Sequence, residues 1–260
     1  MADGSVAATA SLKSKVSAEE WKARVDLAAL YRLVALHGWD DMIFTHISAR
    51  IPGPEHHFLI NPYGMFFDEI TASSLVKIDL EGAILQETPY FINPAGFTIH
   101  SAIHAAREDA MFVMHLHSDQ GVAVASQKEG LLPLSQHALA VLPGLAYHDY
   151  EGIALNLDER ERLVADLGPT KRLMMLRNHG TLAVGSTAAE CWTAMFFLER
   201  ACKQQVMALS AGRENVLLAP EASRAEVERQ TGGGNVGMSG NLAWAGCLRK
   251  LERNLPGYDA

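Results

Sequence analysis

Two histidines, His115 and His117, sit two residues apart in an apolar run, Phe112-Val-Met-His-Leu-His117. Alternate residues of an extended strand share a face, so Val113, His115 and His117 project to one side and Phe112, Met114 and Leu116 to the other. Two imidazoles side by side at strand spacing can chelate a metal ion. The same pattern also describes a strand end carrying two solvated histidines. A third histidine lies in Arg177-Asn-His-Gly180, directly after the apolar stretch Leu173-Met-Met-Leu176. Polar loops that follow buried strands are where sites tend to be built, and Gly180 allows a sharp turn or a close backbone approach. Taken alone, His179 reads as a loop histidine. Tyr147-His148-Asp149-Tyr150 gathers two phenols, an imidazole and a carboxylate within four residues, an acid/base cluster or a polar loop. His37, beside a helix stop, and His56 and His57, in a turn region, read as surface residues.

The elements that must position these groups follow from caps and periodicity. Ser17-Ala-Glu-Glu20 is a capping box opening a helix that Gly38 stops. Strands are expected over 43–50, 58–60 and 75–79, separated by Pro/Gly turns. Asn93-Pro94 starts a helix running to about Arg107, with Gly96, His100 and His104 four apart on one face. A strand over 111–117 leads to a helix over about 119–128. The stretch 131–150 has no clear period. A helix over 158–167, stopped by Gly168, and strands over 171–176 and 181–184 follow. Thr187-Ala-Ala-Glu190 opens the longest helix, ending near Gly212, whose stripe of Met195, Phe196, Leu198 and Met207 reads as core. Residues 1–16 read as a disordered lead, 17–212 as one mixed α/β domain, and 213–260, with Gly232-Gly-Gly234, as a partly helical, partly loose extension.

Composition narrows the class. Hydrophobic residues make up 48% and charged residues 20%, ordinary for a folded domain that buries a core. A formal net charge of −8 without a basic stripe argues against a nucleic-acid partner. No run reaches the roughly 18 apolar residues that a membrane span needs. Three cysteines without metal-type spacing fit a reduced, cytoplasmic setting better than a disulfide framework.

The segment Asn93–His117 together with Arg177-Asn-His-Gly180 resembles the class II aldolase/adducin family over roughly residues 20–210. The resemblance implies a three-layer α/β/α fold with a mainly antiparallel central sheet, assembled as a homotetramer with sites near subunit interfaces. It also implies that His115, His117 and His179 together bind one divalent metal, zinc first, with manganese, cobalt or iron as alternatives. Two departures from the sugar-phosphate aldolases of that family stand out. The acidic acid/base residue four positions before His100 is replaced by Gly96, and the phosphate-binding Gly-Asn-x-Ser becomes Thr45-His46-Ile47-Ser48. With the clustered phosphate donors gone, a sugar phosphate is not the expected substrate. Asn93–Ile103, Gly130–Pro133 and 146–152 are instead similar to the adducin-like branch.

A metal-dependent lyase is therefore expected, cleaving a C–C bond of a small non-phosphorylated hydroxy/oxo or aromatic acid by decarboxylation or retro-aldol cleavage, with loss of the acidic residue leaning towards the former. His46, Ser48 and Gly96 are placed at the substrate, the first two against a carboxylate; the alternative for them is a solvated strand end. His100, Tyr147, His148 and Tyr150 are the candidate catalytic groups, with His100 alternatively a buried residue tying helix to sheet. Two other readings stand beside the lyase: a non-catalytic adducin-like interaction module, and a non-haem iron oxygenase, for which the usual two-histidine, one-carboxylate set is lacking.

Overall fold

A computed structural model describes residues 12–152, 158–232 and 237–260. Most of the expected lead and the Gly233-Gly234 stretch lie outside the described residues.

Helix α1 (Ala18–His37) begins where Ser17 Oγ accepts the Glu20 N–H at 3.0 Å and ends on Gly38 at φ 64°. The sheet then begins later than periodicity predicts. Strand β1 covers His46–Arg50, because Met42 and Thr45 take positive φ and Asp41 bridges Phe44 in a tight turn. Strands β2 (Phe58–Ile60) and β3 (Val76–Ile78) follow, then α2 (Pro94–Ala106), β4 (Phe112–Leu116) and α3 (Asp119–Ala125). The segment without a clear period holds a short helix, α4 (Gln136–Val141), and strand β5 (Leu145–His148). Helix α5 (Glu159–Leu167), β6 (Leu173–Leu176), β7 (Gly180–Gly185) and the long α6 (Ala188–Leu209) complete the expected elements. Beyond them lie α7 (Glu221–Gln230) and α8 (Gly237–Asn254).

The seven strands form one sheet in the order β3-β2-β1-β4-β7-β6-β5, antiparallel at every pairing except β5 with β6. Each face buries its own apolar set. On one side, Met114, Leu116, Ala183 and Met175 meet Leu30 of α1, Val124 of α3, and Met195 and Leu198 of α6. On the other, Val113, Leu182, Val184 and Met174 meet Ile99 and Ile103 of α2 and Leu163 and Leu167 of α5. The fold is thus a three-layer α/β/α sandwich around a mainly antiparallel sheet, as expected.

Two placements differ from the sequence reading. Met207 is 65% exposed, so the apolar stripe of α6 leaves the core before the helix ends. His37 is half-buried, with its ring 5.0 Å from Trp39 and 5.1 Å from Trp192. The end of the chain is tied down as well: Leu251 of α8 is fully buried, and the Ala72 N–H donates to the Tyr258 carbonyl at 2.8 Å.

Candidate metal centre

The alternation of β4 decides the site. Phe112, Met114 and Leu116 enter the first core, while Val113 enters the second, so His115 follows Val113 onto the α2/α5 face of the sheet. His115 is fully buried and His117, past the strand end, is about one-quarter exposed, which excludes a pair of solvated imidazoles. The neighbouring strand β7 brings the third ring. Asn178 adopts φ 56° and the His179 N–H returns to the Leu176 carbonyl at 3.1 Å, folding His179 over the end of the sheet. Gly180 follows for a steric reason: a Cβ there would lie 2.3 Å from the Leu116 carbonyl oxygen and 3.1 Å from both the His115 and His117 rings. Close approach of two strands and two imidazoles, rather than an unusual φ, is what requires glycine.

The three rings lie 4.8 to 4.9 Å apart between centroids. One nitrogen from each falls within 4.8 Å of the others, and this is the group of side chains among the described residues that could hold a metal ion. Hydrogen bonds set the nitrogens. His115 Nδ1 donates to the Thr181 carbonyl at 3.0 Å, which leaves Nε2 with the lone pair. His117 Nδ1 lies 3.0 Å from an Asp41 carboxylate oxygen and donates to it. The two Nε2 atoms then face each other at 3.0 Å. Something electropositive must lie between them, a proton or a cation, and a third imidazole alongside suits a cation. Burial lowers the pKa of His115 well below 6.5 and that of His179 to about 4, with the neighbouring histidines adding to the effect. Imidazoles are common ligands of divalent transition metals, and two of these three have the opposite nitrogen held by a carbonyl or a carboxylate, so the residues fit such an ion.

A second group lies beside the first on the same face. His46 pairs with His115 in register across β1 and β4, their ring centroids 5.2 Å apart. His46 Nδ1 is 2.8 Å from His100 Nε2, His100 Nδ1 meets Ser48 Oγ, and Ser48 Oγ is 2.7 Å from His104 Nε2. All four are buried, so the solvated strand end is excluded for His46 and Ser48. Gly96 adjoins them: a Cβ there would fall 2.5 Å from the His46 ring.

The Tyr147–Tyr150 tetrad does not act as one cluster, because strand alternation splits it. Tyr147 faces the first core, where its hydroxyl accepts the Leu131 N–H at 3.0 Å and its ring lies under Arg177. His148 faces the other way, its Nδ1 bonded to Asp166 of α5 at 2.7 Å while its buried Nε2, 3.4 Å from Glu159 of α5, makes no hydrogen bond among the described residues. Tyr150 brings its half-exposed ring within 6.3 Å of His179, and His148 is near enough for its charge to bear on His179.

Sequence reading missed two acidic groups. Asp41 stands 76 residues from the imidazole it holds, in a loop of unusual backbone conformation that no local pattern announces. Glu199 of α6 is fully buried and accepts hydrogen bonds from Ser118 Oγ and, at 2.8 Å, from Thr181 Oγ1. Burial raises the Glu199 pKa. It anchors the residue whose carbonyl holds His115. A lone glutamate in the apolar stripe of a long helix was the available signal.

Fold and histidine group together define a class. The chain matches the family described as Class II Aldolase and Adducin N-terminal domain over residues 25–206, and it belongs to that family. A protein of Caulobacter vibrioides that bears an aldolase class 2 name is 79% identical over 99% of both chains. Alpha-adducin of Rattus norvegicus is 44% identical over 75% of this chain and 27% of its own length. Among solved structures, an aldolase II superfamily protein from Pseudomonas syringae superposes with TM-score 0.91 and 51% identity, covering 95% of this chain and 99% of the other. An L-fuculose 1-phosphate aldolase from Glaciozyma antarctica superposes with TM-score 0.80 and 28% identity, covering 92% of each chain.

Proposed function

We infer that the protein is a metal-dependent lyase that cleaves a C–C bond of a small, non-phosphorylated hydroxy/oxo or aromatic acid, by retro-aldol cleavage or decarboxylation. The observation that carries this reading is the trio His115, His117 and His179, with two Nε2 atoms 3.0 Å apart and the opposite nitrogens held by Thr181 and Asp41. When bound, a divalent ion, zinc first and manganese, cobalt or iron as alternatives, supplies a Lewis acid that stabilises the negative charge left as the bond breaks.

The remaining work belongs to the chain's own residues. His46, Ser48 and His100 line the buried side next to His115, and Gly96 lets the backbone of α2 pass closely against the His46 ring. Tyr150, beside His179, is the phenol placed to move a proton at the open side. Tyr147 and His148 are left out of the mechanism, since one phenol is tied to Leu131 and the imidazole lies between α5 carboxylates. The sugar-phosphate chemistry named for the Glaciozyma relative is not carried over, because His46 and Gly96 stand where the sequence departs from such enzymes. The same reading has the chain acting in the cytoplasm, in keeping with three free cysteines, and assembling as a homotetramer.

The test is a cleavage assay on chelator-stripped protein, with zinc, manganese, cobalt or iron restored, against a panel of hydroxy and oxo acids with and without oxygen. Product formation that needs the metal and ignores oxygen supports the lyase; strict dependence on iron and oxygen would replace it with an oxygenase. The 44% identity to alpha-adducin favours one other reading, a non-catalytic interaction module. Stoichiometric metal binding without turnover of any panel member would favour that module.

A further inference from the structure

The four buried polar residues beside the metal group form a chain whose hydrogen-bond direction is fixed from one end. The Ala110 carbonyl can only accept, so His104 Nδ1 donates to it, at 2.9 Å. His104 is about 1% exposed and in contact with the Phe58 ring, and such burial keeps its imidazole neutral. Its Nε2 is therefore an acceptor, and the one proton of Ser48 Oγ goes there, across 2.7 Å. Having spent that proton, Ser48 Oγ must accept from His100 Nδ1. His100, fully buried and neutral, is left with an acceptor at Nε2, which takes the proton of His46 Nδ1 across 2.8 Å. Each step leaves the next residue one arrangement. The last is His46, also buried, with its proton on Nδ1 and a lone pair on Nε2.

That nitrogen faces the backbone of α2 at Gly96. It is 3.1 Å from where a Cβ on residue 96 would stand, and its ring packs at 5.2 Å against the ring of His115. We propose that His46 presents an unprotonated Nε2 beside the metal group as the acceptor for a substrate hydroxyl, its tautomer set by the relay His100–Ser48–His104. A lone pair there repels a carboxylate and welcomes an O–H donor, so His46 does not hold the substrate's acid group. The ligand class is a hydroxy acid whose hydroxyl sits beside the oxygen that chelates the metal. This rests on the lyase reading for its substrate and narrows it, since a retained hydroxyl is the group from which retro-aldol cleavage starts. His100, Ser48 and His104 are positioning residues.

Neutron diffraction from perdeuterated crystals of the zinc-loaded wild-type protein reads the tautomers directly. Deuterium on Nδ1 of His46, His100 and His104 and on Ser48 Oγ is the expected result; deuterium on His46 Nε2 overturns the proposal. In solution, calorimetric titration of the zinc-loaded protein with glycolate and acetate, which differ by one hydroxyl, gives the functional arm. The preference for glycolate should fall about tenfold in Ser48→Ala and survive in Ser48→Thr, at unchanged zinc content. Equal preference in wild type and Ser48→Ala would show that the relay does not act on ligand binding. Neither readout needs turnover, so failure to find a cleaved substrate would weigh against the lyase alone. If Ser48→Ala does not fold, the wild-type neutron map still decides.

Discussion

At the scale of single residues, the centre depends on which nitrogen of each imidazole carries the proton. Thr181 and Asp41 settle this for His115 and His117 by accepting from Nδ1, turning both Nε2 atoms toward a common point. Removing such a partner typically costs a metal site 10- to 100-fold in affinity, so Asp41→Ala should weaken zinc binding by about that factor in competition with a fluorescent chelator. Unchanged affinity would mean that His117 orients itself without the carboxylate. The His115–His117 pair was legible in the strand period, whereas His179, a loop histidine when taken alone, joined the set only through the family resemblance. Asp41 and Thr181 were not legible, since one acts across 76 residues and the other through its backbone.

Elements bring those residues together, and the tightest constraint is the β4–β7 pair. A methyl group on Gly180 would press on the Leu116 carbonyl at 2.3 Å, backbone that cannot yield without moving the strands. Gly180→Ala should therefore cost about 1–3 kcal/mol, read as a lower urea midpoint, and reduce metal occupancy together with it. Retained stability with full occupancy would contradict that packing. At the start of α6, Thr187 Oγ1 accepts the Glu190 N–H at 3.2 Å, and Thr187→Ala should cost about 1 kcal/mol by the same measurement. Caps and alternation made most elements readable in advance, down to which side of β4 carries the histidines. The exception is instructive. Strand β5 hides in a segment that mixes a short helix, a Pro-Gly turn and only four strand residues, so its alternation was not recognised. Had it been, Tyr147 and His148 would have fallen on opposite faces at once.

For the whole molecule, acid should be the weak side. Burial lowers His46 and His104 to about 3 and His179 to about 4, each from an ordinary 6.5. As pH falls through 6.5 the unfolded chain takes up protons that the folded protein refuses. Stability from these groups is thus complete above about 6.5 and is lost steadily down to about 3, by up to ~1.4 kcal/mol per pH unit for each histidine. Urea midpoints at pH 7.5 and pH 5 should differ accordingly, and equal midpoints would contradict the buried, neutral cluster. Assembly is tested by light scattering, where a homotetramer gives a mass four times the 28.3 kDa of one chain. The lyase reading stands on a metal held by three histidines. Equilibrium dialysis of the chelator-stripped protein against zinc tests it most directly. Wild type should take up about one ion per chain, and His115→Ala, His117→Ala and His179→Ala should each lose most of that binding while remaining folded. Binding of no metal by wild type, or undiminished binding by all three variants, would contradict the account.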